Sequence, residues 1–214
     1  MVKILFEDNH LLVVVKPHGQ PVQGDDSGDL ALLDELKAFL KDRDHKPGNV
    51  FLGLVHRLDR PVGGVMVFAK TSKAASRLST QFAGRSVKKV YVATGKTVEG
   101  LEIPSEGEVR QWLLKNKETN VVRVVGEGLR DAQLAVTQYQ VLTRWPDGRI
   151  KIELHPETGR SHQLRLAMVT LGAPIMGDVK YGGEKWDRPE AIDLTAVSLT
   201  FTHPVTHETL EFSV

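Results

Sequence analysis

The stretch "AVTQYQVLTRWPDGRIKIEL", residues 135–154, decides the fold class. Both flanks carry β-branched, aromatic and alternating polar residues, the composition of strands. Between them "PDG" at 146–148 places Pro ahead of Asp-Gly, which is turn chemistry. Two strands joined by so short a turn must run antiparallel, as a hairpin.

Further strands flank this hairpin. "EVRQWLLK" (108–115) and "NVVRVV" (120–125) precede it, joined by turns containing Gly and Asn. "LTAVSLTF" (194–201) and "ETLEFS" (208–213) close the chain, after an irregular loop at "KYGGEKWDRPE" (180–190). At the other end, "KILFE" (3–7) and "HLLVVVKP" (10–17) are split by the "EDNH" turn. "VFLGLV" (50–55), "GVMVFAK" (64–70) and "KKVYVATGKTV" (88–98) add three more. Residues 16–30 read as a loop rich in Gly, Pro and Asp. Helices are fewer. "LALLDELKAFLKDR" (30–43) has apolar residues at 32, 33, 36, 39 and 40, the helical spacing, with Asp29 placed to cap it. "SKAASRLSTQFAG" (72–84) has Ser72 near its cap and Gly84 at its end. "SHQLRLAMVTLGAP" (161–174) is stopped by Gly172 and Pro174. The class predicted is α+β, with a mainly antiparallel sheet.

The chain has 214 residues and no cysteine. A chain this long buries roughly 70% of its unfolded surface and needs no staples. Without cysteine it has neither a disulfide framework nor a thiolate metal site, which fits a reducing compartment. The N-terminal segment has neither signal-peptide nor transit-peptide character, and apolar runs such as "LLVVV" are far too short to cross a bilayer. The expectation is a cytoplasmic protein, with no membrane partner, folded as one domain over residues 1–214. Net charge is +1, but the charge is unevenly placed. From Arg60 to Val98 there are eight Lys and Arg and no Asp or Glu. Such a local field suits a polyanion. Alternatively it is a solvated face whose acidic partners come from elsewhere in the fold.

Two polar clusters carry the chemistry. In "GLVHRLDRPVGGVMVFAK" (53–70), Asp59 lies between Arg57 and Arg60. In extended chain Arg57 and Asp59 share a face, while Leu58 points the other way and anchors the segment. Gly63 and Gly64 permit a sharp exit or the close approach of another backbone. A carboxylate beside arginine stays ionised, so it serves as base or nucleophile rather than proton donor. The bland alternative is a structural Asp–Arg pair. In "HPETGRSHQLRLAM" (155–168), Thr158 and Gly159 lead into a helix start, where backbone N–H groups favour anions. Arg160 and His162 add to that. Arg165 lies one turn beyond His162, while Leu164, Met168 and Leu171 form the buried stripe. An arginine on so apolar a helix requires a carboxylate, for which Asp59 is a candidate.

Five segments, "HLLVVVKPHGQPVQ", "HRLDRPVGGVMVFAKT", "VKKVYVATGK", "TGRSHQLRLAMVTLGAPIMGDVKYGG" and "LTFTHP", occur in an order that resembles the RluA-type pseudouridine synthases over almost the whole chain. The resemblance implies isomerisation of specific uridines in structured ribosomal or transfer RNA. It also implies a long mixed, mainly antiparallel sheet with flanking helices and a central catalytic cleft. By resemblance Asp59 is the catalytic carboxylate, acting as nucleophile or as base. Tyr91 stacks on the target base and takes part in proton removal, and Arg165 pairs with Asp59. Arg57 holds RNA around the extruded nucleotide, and Arg60, Lys89, Arg160 and His162 complete the RNA-binding set. Lys16-Pro17 fixes a loop near the cleft, with an indirect role. The reaction exchanges no electrons or external groups, so neither metal nor organic cofactor is expected, and a monomer is. The family's hydroxyl-bearing motif after the aspartate reads "RPVGG" here, and its Leu-His-Ala reads "LTA" at 194–196. No separate N-terminal RNA-binding domain is expected, so RNA would be selected by the catalytic domain or by RNA shape.

The competing classes are weaker. "HRLD" has the wrong order for a kinase catalytic loop, and there is no Asp-Phe-Gly. His155 and His162 lack ligand spacing. No second acidic residue accompanies Asp59 as a glycosidase requires. Trp112, Trp145 and Trp186 read as core or rim packing. An RNA-binding and remodelling protein on the same scaffold is the alternative from another class.

Overall fold

A computed structural model describes residues 2–24, 28–98, 100–188 and 190–214. In chain order the strands are β1 (Lys3–Glu7), β2 (Leu11–Lys16), β3 (Gly53–Leu54), β4 (Gly63–Ala69), β5 (Lys88–Lys96), β6 (Glu106–Asn116), β7 (Val121–Val125), β8 (Gln133–Arg144), β9 (Arg149–Pro156), β10 (Leu194–Thr202) and β11 (Thr209–Ser213). The helices are α1 (Leu32–Arg43), α2 (Ser72–Ala83) and α3 (Gln163–Thr170). The class is α+β with mostly antiparallel pairing, as the turns predict. The chain divides into two compact units, Met1–Lys88 with Ala196–Val214, and Lys89–Thr195.

In the first unit the strand order is β1-β2-β4-β10, with β11 on β10 and β3 on β4. "LLVV" of β2 and all of β4 are buried, which explains why both read as unbroken apolar runs rather than alternating ones. Leu11, Val13, Val65 and Val67 form one core face with Ala74 and Leu78 of α2 and with Phe201. Thr71 caps α2, next to Ser72 as expected, its side chain accepting from the Ala74 N–H at 3.2 Å. The cap expected at Asp29 does not form. Helix α1 starts after Ala31 without a side-chain cap, and the Asp29 carboxylate instead pairs with Arg60 at 2.6 Å. "VFLGLV" contributes only the two-residue β3. Part of the expected 16–30 loop, residues 25–27, lies outside the described residues, as does 189 in the 180–190 loop.

In the second unit the order is β5-β9-β8-β6-β7, antiparallel throughout. The 135–154 hairpin forms as read. Tyr139 faces Leu154 and Val141 faces Ile152, and Gly148 at φ +83° closes the turn. Helix α3 packs on β6, β8 and β9. Gly172, at φ +74°, ends it. Every residue from Gln163 to Met168 is buried, so α3 is interior on all sides rather than along one stripe. This burial is what makes Arg165 exceptional.

Candidate active site

In the first unit, the His-Arg-Leu-Asp segment is extended chain that alternates as expected. Arg57 is exposed, Leu58 is buried and Asp59 is half-buried. A turn follows, in which the Val62 N–H donates to the Asp59 carbonyl at 3.0 Å. Lys16 at the end of β2 fastens this turn. Its side chain is 1% exposed. Its ammonium donates to the carbonyls of Arg60 (3.0 Å), Val62 (2.6 Å) and Pro17 (2.9 Å). An ammonium has three donors, and three carbonyls take them. Burial pushes the Lys16 pKa down to about 7; the Asp59 charge works against that shift and Arg60 adds to it. The carboxylate and the buried cation therefore interact directly in energy. Gly19 N–H adds a further bond to the Arg60 carbonyl.

The glycine pair permits close approach, as read. A Cβ on Gly63 would overlap the His18 ring, and one on Gly64, at φ +120°, would overlap the Ala196 backbone. Where the family motif has hydroxyls, Val62 is buried and its backbone carbonyl carries the polar contact to Lys16. His56 accepts from the Val67 N–H through Nε2 at 3.1 Å and stacks on Phe82 at 4.5 Å. It is thereby a structural prop of the strand beside the turn.

The second unit holds the other expected residues. Tyr91 is half-buried near the start of β5, opposite Leu154 of β9, and shares a face with Lys89 and Ala93. Arg165 is 6% exposed. The carboxylate that such burial requires is supplied by Asp178, bound bidentately at 2.7 Å (Nε–Oδ2) and 2.5 Å (Nη2–Oδ1). The Arg165 guanidinium also lies over the Tyr181 ring, 4.7 Å from its centre. The Tyr181 hydroxyl meets His162 Nδ1 at 2.6 Å and accepts from the Val122 N–H at 3.0 Å. His162, at φ +53°, is the residue from which α3 departs.

The 158–163 turn is tied inward. Thr158 donates to Gln163 Oε1 at 2.7 Å, and the Arg160 N–H donates to the same oxygen at 3.0 Å. Gln163 in turn donates to Val136 and Thr137, both at 2.9 Å. Arg160 Nε donates to the Leu134 carbonyl at 3.1 Å. Three residues of this architecture escaped the sequence reading as site elements. Lys16 reads from sequence only as a loop anchor, Tyr181 falls in the irregular 180–190 loop, and Asp178 lies in a family segment without a role of its own. Their one sequence signal is a polar residue flanked by apolar ones, in "VVVKP" and "IMGDVKYGG".

Among the described residues there is no cluster of three or more His, Cys, Asp or Glu that would hold a metal ion. No helix there is long and apolar enough to cross a membrane.

Residues 10–170 match the RNA pseudouridylate synthase family model. The chain is 33% identical over 216 residues to ribosomal large subunit pseudouridine synthase C of Vibrio vulnificus, covering 98% of this chain and 64% of that protein. It is 37% identical over 217 residues to the dual-specificity RNA pseudouridine synthase RluA of Haemophilus influenzae, covering 98% and 91% respectively. The solved structure of human RNA pseudouridylate synthase domain containing 4 superposes with a TM-score of 0.80 at 29% identity, over 99% of this chain and 87% of that one. The chain thus spans less than two thirds of the Vibrio relative and nearly all of the Haemophilus one. With a fold, an ordered set of motifs and a family match in agreement, this chain belongs to the RNA pseudouridylate synthase family.

Proposed function

We propose that the chain is an isomerase that converts uridines of structured ribosomal or transfer RNA to pseudouridine, with Asp59 as the reactive group. One observation carries this most directly. Asp59 sits half-buried on a turn whose backbone is fastened by a buried ammonium, so the carboxylate is held in place before any substrate arrives.

The chemistry is balanced without a co-reactant. The bond from the sugar's anomeric carbon to N1 breaks, the uracil turns, and a bond forms from C5 to the same carbon. C5 loses its hydrogen as a proton, and N1 ends by carrying one. A paired uridine must first be flipped out, at a cost of a few kcal/mol. Asp59 serves as nucleophile, at uracil C6 or the anomeric carbon, or as base at the sugar. Tyr91 supplies a ring on which the base stacks and an oxygen near the C5 proton. Arg165, immobilised by Asp178, supplies fixed positive charge, and Arg57, Arg60, Lys89, Arg160 and His162 supply contacts to RNA. Asp29 already engages the Arg60 side chain, so its RNA contact requires exchange of that partner.

The test is pseudouridine mapping in transcribed ribosomal and transfer RNA treated with the parent or with Asp59→Asn. The parent should mark discrete uridines and the variant none, with unchanged melting temperature. Equal modification by both would remove Asp59 from the chemistry.

A further inference from the structure

Helix α2 carries a charge pattern that its own stability does not explain. The comparison is with α1, of the same length. In α1 acidic Asp34 and Glu35 stand in the first turn, and basic Lys41 and Arg43 in the last. That arrangement complements the helix dipole. In α2 there is no acidic residue at all, and the cation Lys73 stands in the first turn, against the dipole. Arg77 follows at one-turn spacing, and Arg85 and Lys88 lie just beyond the helix end. All four are exposed.

Of the eight cations of residues 60–98, seven divide into two groups, with Lys89 set apart on β5. Arg60 pairs with Asp29, Lys70 with Glu7, and Lys96 with Glu184. For these three the solvated-face explanation holds, since their acidic partners come from elsewhere in the fold. Lys73, Arg77, Arg85 and Lys88 differ: among the described residues none of them has a carboxylate partner. Arg77 instead donates to the Pro204 carbonyl at 2.6 Å, which fixes its stem while leaving its charge uncompensated. The remaining exposed positions of α2 include Ser72, Ser76, Ser79 and Thr80. Serine and threonine are mediocre helix formers, but their hydroxyls donate to phosphate oxygens.

We propose that the outer face of α2, the turn after it and the first residue of β5, with Lys73, Arg77, Arg85 and Lys88, form a docking surface for the phosphate backbone of the RNA substrate. It spans about 20 Å, taking ~1.5 Å per helical residue. Contacts of this kind set register and affinity without reading sequence. The proposal rests on RNA being the substrate.

The test measures binding of a transcribed, structured ribosomal RNA fragment by the full chain, with Asp59→Asn throughout so that nothing turns over. The variant Lys73→Gln/Arg77→Gln/Arg85→Gln/Lys88→Gln should lower the slope of log affinity against log salt by about 3, at ~0.7–0.9 per lost phosphate contact. Affinity at ~0.1 M salt should fall at least ~10-fold. Exchanging each Lys for Arg and each Arg for Lys at the four positions should keep the slope. Lys96→Gln, which removes an ion-paired cation, should leave it unchanged. Slope and affinity equal to the parent's in the quadruple variant, with an unaltered melting temperature, would overturn the surface. Failure of the parent itself to bind RNA would remove the substrate, and the surface with it.

Discussion

Buried charged side chains anchor both segments that carry the proposed site residues. Lys16 exchanges the hydration of an ammonium for three carbonyls, two of which belong to the turn after Asp59. Removing it takes that donor from the Pro17 and Val62 carbonyls, while the Arg60 carbonyl keeps the Gly19 N–H, at ~1–3 kcal/mol for each group left buried and unmet. Lys16→Met should therefore lower unfolding stability by about 3 kcal/mol and slow pseudouridine formation together; denaturant titration and single-turnover assays read the two effects. Stability within experimental error of the parent would show that the turn holds itself. Arg165 and Asp178 make the corresponding pair in the second unit, with exposures of 6% and 2%. Deleting Asp178 removes two charge-assisted hydrogen bonds from a buried guanidinium, at ~3–5 kcal/mol. Asp178→Ala should thus cost more than Tyr181→Phe, which removes one hydroxyl whose partners are His162 and the Val122 N–H. An equal fall in melting temperature for the two variants would contradict this ranking.

At the level of elements, an ionic clasp joins the edge strand to a helix. Glu7 at the end of β1 accepts from both guanidinium nitrogens of Arg43 in α1, at 2.6 and 2.7 Å. It also accepts from Lys70, which follows β4, at 2.6 Å. Arg43 first, then Lys70, lower the Glu7 pKa from 4.5 to about 2. A carboxyl with a depressed folded pKa contributes stability that is fully present above its unfolded value and lost as pH falls through the folded one. Melting temperature should therefore fall between about pH 5 and pH 2, more steeply in the parent than in Glu7→Gln. Parallel curves would show that solvent screens the clasp to insignificance. The same scale explains the corrected helix start. Asp29 binds the fixed charge of Arg60 rather than the amides of α1, and Ala31 is left to begin the helix uncapped.

Across the whole molecule, each unit buries an apolar core of its own, around Leu11, Val67 and Phe201 in one and Leu113, Ala135 and Leu166 in the other. Neither core requires a second copy of the chain to cover it. Sedimentation equilibrium should return a monomer of 23.7 kDa. A mass near twice that, independent of dilution, would contradict it. The net charge of +1 also acquires meaning only at this scale. The near-balance of 28 basic and 27 acidic residues conceals Lys73, Arg77, Arg85 and Lys88, which have no carboxylate partner among the described residues.

Local physics was legible in the chain itself. The Pro-Asp-Gly turn, the period-two strands, the apolar runs of β2 and β4 and the spacing in α1 and α2 depend on neighbours a few residues apart, and each was placed from sequence to within a few positions. The motif order carried the family for the same reason, since it is a property of the string. Tertiary structure alone decided which charges meet. Lys16 reaches carbonyls 44 and 46 residues away. Arg165 meets Asp178, 13 residues on, and Asp29 pairs with Arg60 rather than capping α1. An ion pair depends on distance in space and on the local loss of water, and neither quantity is written in the order of residues.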